Sequence, residues 1–364
     1  MEYLPKLGIH GWLVVADSRG PLQAQLKGSV HFLGDRKAGM FLSLIPLIRL
    51  LRKLRPSFFF SVMTHANVTA LLAWKISAQQ GKIFVSERNV RPRTRFGLLG
   101  WKQVVVDLLA KVLYPKADGV FAVSRAVAAD LSKRLSLPSQ QIAILPNPVV
   151  SRQLKMQAQA TVPHPWLRPR QPPVVLAAGR LVRQKNFSHL INAFGLVRSH
   201  RPCRLVILGE GNLREPLECQ VHLSPWAHEI LLAGYQANPF CWMSRAKVFV
   251  LSSLWEGLPG VLIQAMACGT RVVSTDCPGG SREILENGRW GVLVPVSDVQ
   301  ALAKGIEQAM DRGPSAQALR QRASYYSVSR SVRLHLKAMG WPGKSPQGKA
   351  IRRKATFAVP GATS

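Results

Sequence analysis

Between residues 173 and 311 the chain repeats one unit: a short apolar run rich in valine, leucine and isoleucine, a turn, then a stretch with helical periodicity. The strand-like runs are PVVLAAG, CRLVILGEG, EILLAG, KVFVLSS, TRVVST and WGVLVPV; the helical stretches include 187–199, 213–222, 238–245, 280–285 and 299–311. Strands that are apolar on both faces and alternate with helices form a parallel sheet covered by helices on each side. The alternation therefore predicts a doubly wound α/β domain.

The first part of the chain follows the same grammar, with strands expected at 12–16, 58–63, 82–86 and 119–123 and a last strand and turn in IAILPNP, 142–148. At 364 residues the chain suits two domains. The Pro-rich stretch QAQATVPHPWLRPRQPP has no periodicity and reads as a linker. The expected division is 1–156 for a first α/β domain, 157–172 for the linker, 173–325 for a second α/β domain and 326–340 for a terminal helix. The basic, acid-free tail 341–364 is expected to be disordered. Two such domains joined by a hinge form a cleft, and ligands of doubly wound sheets bind outside the carboxyl ends of the strands.

Charge narrows the partners. Lys and Arg number 49 against 18 Asp and Glu, a formal charge of +31, which favours polyanions. The basic residues are spread along the chain with no RNA-binding or zinc-finger pattern, so no nucleic-acid partner is expected. Five cysteines (Cys203, Cys219, Cys241, Cys268, Cys277) without close pairing read as reduced, buried thiols of a cytoplasmic protein. No Cys or His pair has zinc-ligand spacing and no Asp-x-Asp pair occurs, so no protein-held metal is expected. No stretch reaches the roughly 18 to 20 uncharged residues of a membrane span. The segment GMFLSLIPLIRLLRKLRPSFFF comes nearest, but Arg49, Arg52, Lys53 and Arg55 interrupt it and Pro46 is expected to kink or divide a helix there. It reads either as a helix lying on an anionic bilayer or as an α/β-domain helix with a solvated basic face, and the two are compatible. WKQVVVDLLAKVLY is a second such segment.

Two short motifs carry the chemistry. In GRLVRQKN, Gly179 permits a tight exit from the preceding strand, placing Arg180 and Lys185 at its carboxyl end. A guanidinium clamps phosphate oxygens in two bonds and an ammonium adds a point charge, although isolated basic residues in so basic a chain also serve as solvated surface. In EGLPGVLIQA, Pro259 fits the first helical position, and the amides of Gly260 and Val261 then form an anion site at a helix start. Glu256 is read either as an acceptor for a neutral hydroxyl or as an acid favoured by the helix dipole, worth about 0.3–1 kcal/mol. SERN after the 82–86 run puts Glu87 and Arg88 at a strand end, where they line a cleft or form a surface ion pair; His65, after another strand, is a similar candidate or a structural histidine.

GRLVRQKN, ILGEG, GYQANPF and VLSSLWEGLPGVLIQAMACGTRVVSTDCPGGSREIL, in that order, resemble the family 4 retaining glycosyltransferases of the GT-B fold. Weaker similarity runs back through HANVTALLA, FVSERN, ADGVFAVSRAVAADL and ILPNPV. The resemblance implies two Rossmann-like domains, and a UDP- or GDP-linked sugar as donor. Arg180 and Lys185 would then hold the diphosphate and Glu256 the transferred sugar, these three being the catalytic candidates. Gly179, Gly257, Leu258, Gly260 and Val261 would cradle donor sugar and phosphate. His65, Glu87 and Arg88 would lie on the acceptor side. Gln264 stands where the family usually has a ribose-binding glutamate; replacing a charged acceptor by a neutral amide weakens that contact by about 1 kcal/mol, five- to tenfold in affinity. A glycan or lipid-linked acceptor and an anionic inner-membrane surface are the partners implied, with the protein peripheral on the cytoplasmic face. Family members open with a strand, a Gly-rich loop and a helix ahead of the segment resembling GIHGWLVVADSRGPL, and this chain starts after them. The first domain is therefore expected to lack its central strand, and a non-catalytic remnant binding nucleotide or anionic lipid is the competing reading.

Overall fold

The computed structural model describes residues 4–15, 29–33, 40–91, 100–162, 164–341 and 354–359. It forms two compact units: Pro146–Ser331, and Met1–Leu145 together with Val332–Ser364.

The Pro146–Ser331 unit is built on six parallel strands: β7 (Val174–Ala178), β8 (Arg204–Leu208), β9 (Ile230–Gly234), β10 (Val248–Leu251), β11 (Arg271–Thr275) and β12 (Val292–Val294). Their order is β12-β11-β10-β7-β8-β9, the reversal at β7 being that of a doubly wound sheet. Each strand lies within the apolar run that predicted it. β7 and β10 are buried at every position. Helices Phe187–Arg198 and Val299–Asp311 pack Leu190, Phe194, Leu302 and Ile306 onto the sheet, and those four side chains are fully buried.

The other unit has a seven-stranded parallel sheet. In chain order its strands are β1 (His10–Val15), β2 (Ser29–Phe32), β3 (Phe58–Val62), β4 (Lys82–Glu87), β5 (Gly119–Ala122), β6 (Ile142–Ile144) and β13 (Lys354–Val359), arranged β2-β1-β13-β3-β4-β5-β6. Its core stacks aromatic rings along adjacent strands, Phe58 on Phe84 and Phe84 on Phe121. The middle strand expected to be missing is supplied from the tail: β13 pairs with β1 on one side and β3 on the other. Residues 354–359 are thus a strand within a stretch expected to be disordered, while the rest of that tail beyond Trp341 lies outside the described residues.

Three further expectations meet a different outcome. The Pro-rich stretch does not separate the units, which divide at Leu145/Pro146. It packs within the Pro146–Ser331 unit instead: Asn238 Nδ2 donates to the Gln157 carbonyl at 2.9 Å, Ser244 Oγ to that of Ala158 at 2.7 Å, and the Arg204 guanidinium lies 4.8 Å from the Trp166 ring centre. Pro46 does not break the Leu44–Leu54 helix, because it sits in the first turn, where no N–H is needed. Four cysteines are buried, but Cys219 is exposed. Burial pushes the Cys203 and Cys277 thiols up to about 11 and that of Cys268 to about 12, which leaves them inert. Among the described residues no helix is long and apolar enough to cross a membrane.

Candidate functional site

The β7 exit and the start of the Gly260–Cys268 helix meet through one ion pair. Lys185 Nζ donates to Glu256 Oε1 at 2.6 Å, and Ser253 Oγ donates to the same oxygen at 2.6 Å. Both charged side chains are largely buried, 16% and 8% exposed, so the pair is only weakly screened. The second carboxylate oxygen, Oε2, has no hydrogen-bond partner among the described residues. The ammonium has spent one of three donors on Glu256. One carboxylate oxygen and two N–H groups therefore remain for a ligand.

Backbone bonds fix this arrangement. Lys185 is held by Ser252 Oγ, which donates to its carbonyl at 2.8 Å, and its stem lies over Gly179, where an added Cβ would stand 3.2 Å from Cε. Gln184 Nε2 donates to the Trp255 carbonyl at 2.8 Å, and Leu254 N–H to the Gln184 carbonyl at 2.8 Å. On the far side, Glu256 N–H donates to Pro278 O at 2.9 Å and Gly280 N–H to Gly257 O at 2.7 Å. Gly279 between them has φ +145°, and a Cβ there would stand 2.5 Å from the Glu256 carbonyl oxygen. Only glycine lets the two loops approach so closely. Arg180 stands exposed on the loop after β7.

The Gly260–Cys268 helix starts one residue later than expected: Pro259 is its N-cap, with no side-chain cap on the first amides. Gly257, Leu258 and Pro259 are buried. Along the helix Leu262, Ile263, Ala265, Met266, Ala267 and Cys268 are buried, whereas Gly260, Val261 and Gln264 are partly open. Those three lie at i, i+1 and i+4, on one face. The amides that open the helix and the Gln264 amide thus share an accessible side, and Gln264 has no hydrogen-bond partner among the described residues. Sequence reasoning nominated Lys185, Glu256 and Gln264 through their motifs. It missed Ser253, for which the only signal was the paired serine at the end of KVFVLSS.

In the other unit the structure separates the acceptor-side candidates. Glu87 is buried, not in a surface pair with Arg88: Thr64 Oγ1 donates to its Oε2 at 3.0 Å and the Tyr114 hydroxyl donates to Oε1. Asn67 Nδ2 donates to that hydroxyl at 3.0 Å and to the Ser86 carbonyl at 3.0 Å. With both oxygens occupied, Glu87 anchors the end of β4. Burial pushes its carboxyl above the usual range, and burial, with Glu87 beside it, raises the Tyr114 phenol. Neither Tyr114 nor Thr64 was expected, because they lie 27 and 23 residues away in the chain. Arg88 is half-buried with its guanidinium 5.9 Å from the Phe60 ring centre, and burial lowers it to about 10. His65 opens toward solvent on the first turn of the Thr64–Ile76 helix; partial desolvation, then Arg91, hold its imidazole below the usual value, so it is neutral at pH 7.

Residues 159–326 match the family model described as "Glycosyl transferases group 1", and residues 1–152 match that of "Glycosyltransferase Family 4". The chain is 27% identical over 264 residues to a Campylobacter jejuni N-acetylgalactosamine-N,N'-diacetylbacillosaminyl-diphospho-undecaprenol 4-alpha-N-acetylgalactosaminyltransferase, covering 72% of this chain and 70% of that one. It is also 27% identical over 247 residues to an uncharacterized glycosyltransferase of Methanocaldococcus jannaschii, covering 66% of this chain and 60%, less than two thirds, of the relative. Among solved structures, Anabaena HepE in complex with UDP-glucose superposes with a TM-score of 0.71 at 16% identity, over 91% of this chain and 99% of HepE.

Proposed function

The chain belongs to the family 4 glycosyltransferases, and we propose that it moves a sugar from a nucleoside-diphosphate sugar, UDP- or GDP-linked, to a glycan or lipid-linked acceptor, with retention of anomeric configuration. The observation that carries this reading is the half-satisfied ion pair: Lys185 and Ser253 hold Glu256 Oε1, while Oε2 has no donor among the described residues. In that geometry Oε2 accepts hydroxyls of the donor sugar. The two spare Lys185 donors, Arg180 and the amides of Gly260 and Val261 neutralise the diphosphate as the bond to the sugar breaks. Gln264, one turn into the helix, offers the ribose hydroxyls a neutral acceptor and a donor. The acceptor hydroxyl attacks from the face the diphosphate leaves, and its proton passes to a leaving phosphate oxygen. The charge needed at the leaving group is then supplied by protein groups, without a protein-bound metal. Glu87 acts as an internal anchor, leaving Arg88 and His65 as the acceptor-side contacts.

The setting we infer is cell-surface polysaccharide assembly at the inner face of the membrane. A formal charge of +31 supports it. So does the Gly100–Leu113 helix, which exposes Val104, Leu108 and Val112 at i, i+4 and i+8. The test is a panel of nucleotide-sugars followed by thermal shift and by nucleoside-diphosphate release. One donor is expected to raise Tm and to turn over with a lipid-linked acceptor, and Lys185→Ala or Glu256→Gln to cut kcat/KM about 10- to 100-fold. Donor binding without turnover for any acceptor would favour the non-catalytic remnant; no binding by any nucleotide-sugar would overturn the transferase reading and leave of the remnant only its anionic-lipid-binding form.

A further inference from the structure

The strand that holds the Met1–Leu145 sheet together comes from the far end of the chain. β1 and β3 share no hydrogen bond; each bonds only to β13 across the gap, with Trp12 and Phe59 both opposite Thr356. Without β13 the sheet falls into the pair β2-β1 and the four strands β3-β4-β5-β6. A lone two-stranded piece is marginal in water, and both pieces would carry an unpaired edge. With β13 in place all five β3 residues from Phe58 to Val62 are buried. Losing β13 opens this apolar strand to water and leaves its ladder groups without protein partners.

We propose that the gap between β1 and β3 is a strand-binding slot and that its occupant is the chain's own Lys354–Val359 segment, bound in cis as a closing strand. The placement of the two ends of the connection argues for the same molecule over a second copy. Trp341, the last described residue before it, packs its ring 5.3 Å from that of Phe58, and Phe58 is also the register partner of Ala355. The twelve residues 342–353 thus join two points beside one side chain, while an extended chain of that length reaches roughly 40 Å. So short a span makes the effective concentration of the tail strand at the slot very high. Because β13 is parallel to its neighbours, its end at Val359, opposite Val15, emerges at the same sheet edge as Glu87, the end of β4. The inference is independent of the proposed reaction.

Hydrogen exchange on the full-length protein tests it directly. Amides 354–359 are expected to exchange at least about 100-fold more slowly than in the free peptide, as β3 amides do. Complete exchange within seconds would overturn the proposal. Thr356→Pro provides a second reading, because proline removes a ladder donor in a central strand and is harmless in a free tail. We expect loss of soluble protein, or a lower Tm together with faster exchange in β3 and unchanged exchange in β7 and β10; a wild-type Tm would count against the strand. Protection in a monomer supports the cis occupant, whereas protection found only in a dimer overturns it in favour of a strand exchanged between copies.

Discussion

Glu256, in the loop before the Gly260–Cys268 helix, and Glu87, at the end of β4, are both buried carboxyls, and their partners give them opposite roles. Glu256 is met by an ammonium and one hydroxyl at a single oxygen, which keeps the other oxygen available. Glu87 is met by two hydroxyls, one on each oxygen, and is closed to any ligand. Glu87 also makes stability depend on pH. Burial raises its folded-state pKa above 4.5, so as pH climbs past that value the unfolded chain releases a proton that the folded chain retains. Its contribution is complete below 4.5 and is lost as pH rises. Glu87→Gln removes this titration and keeps partners for both hydroxyls. Urea unfolding at a series of pH values is expected to show the variant gaining on wild type as pH rises above 4.5, and a constant difference would refute the assignment. Lys185, Glu256 and Gln264 were legible because they lie within contiguous motifs. The Glu87 anchor was not, since its donors come from elsewhere along the chain and only packing brings them together.

At the level of elements, the site depends on loops held by backbone contact. The turn carrying Gly279 lies against Glu256, and the clash that an added Cβ would make is with a carbonyl oxygen, which cannot rotate away. Gly279→Ala is expected to cost about 1–3 kcal/mol in a denaturant melt and to weaken nucleotide-sugar binding at least tenfold, because the strain displaces the Glu256 backbone. Full affinity in a stable variant would separate this turn from the site. Strand positions were legible wherever an apolar run was bounded by turn residues, as in all six strands of the Pro146–Ser331 sheet. β2 and β13 were not: SVHF and KATFAV are mixed in polarity and flanked by glycine- or lysine-rich stretches. Their strand character comes from the neighbours that accept their backbone bonds. The proline in LIPLIRLLRKL shows the converse, a breaker whose effect depends on which turn it occupies.

Across the whole molecule, charge and exposed apolar surface point the same way. Attraction of a +31 chain to an anionic bilayer is long-ranged and screened by salt, whereas insertion of Val104, Leu108 and Val112 is not. Binding to vesicles with roughly 30 mol% anionic lipid is therefore expected at low salt and to drop sharply at 1 M, where the Debye length is about 3 Å. Leu108→Glu should weaken binding at least tenfold at either salt concentration; an unchanged partition would refute the role of this helix face. By itself the sequence determined that the chain builds two α/β layers and which motif residues stand at the strand ends, because strand and helix periodicities are local and a motif's residues travel together. Which strand fills the centre of the first sheet, which oxygen of Glu256 stays open and which carboxyl is sealed were decided by the tertiary structure alone. Each of these depends on a hydrogen bond between residues far apart in the chain, and such a pairing exists only once the chain has closed on itself.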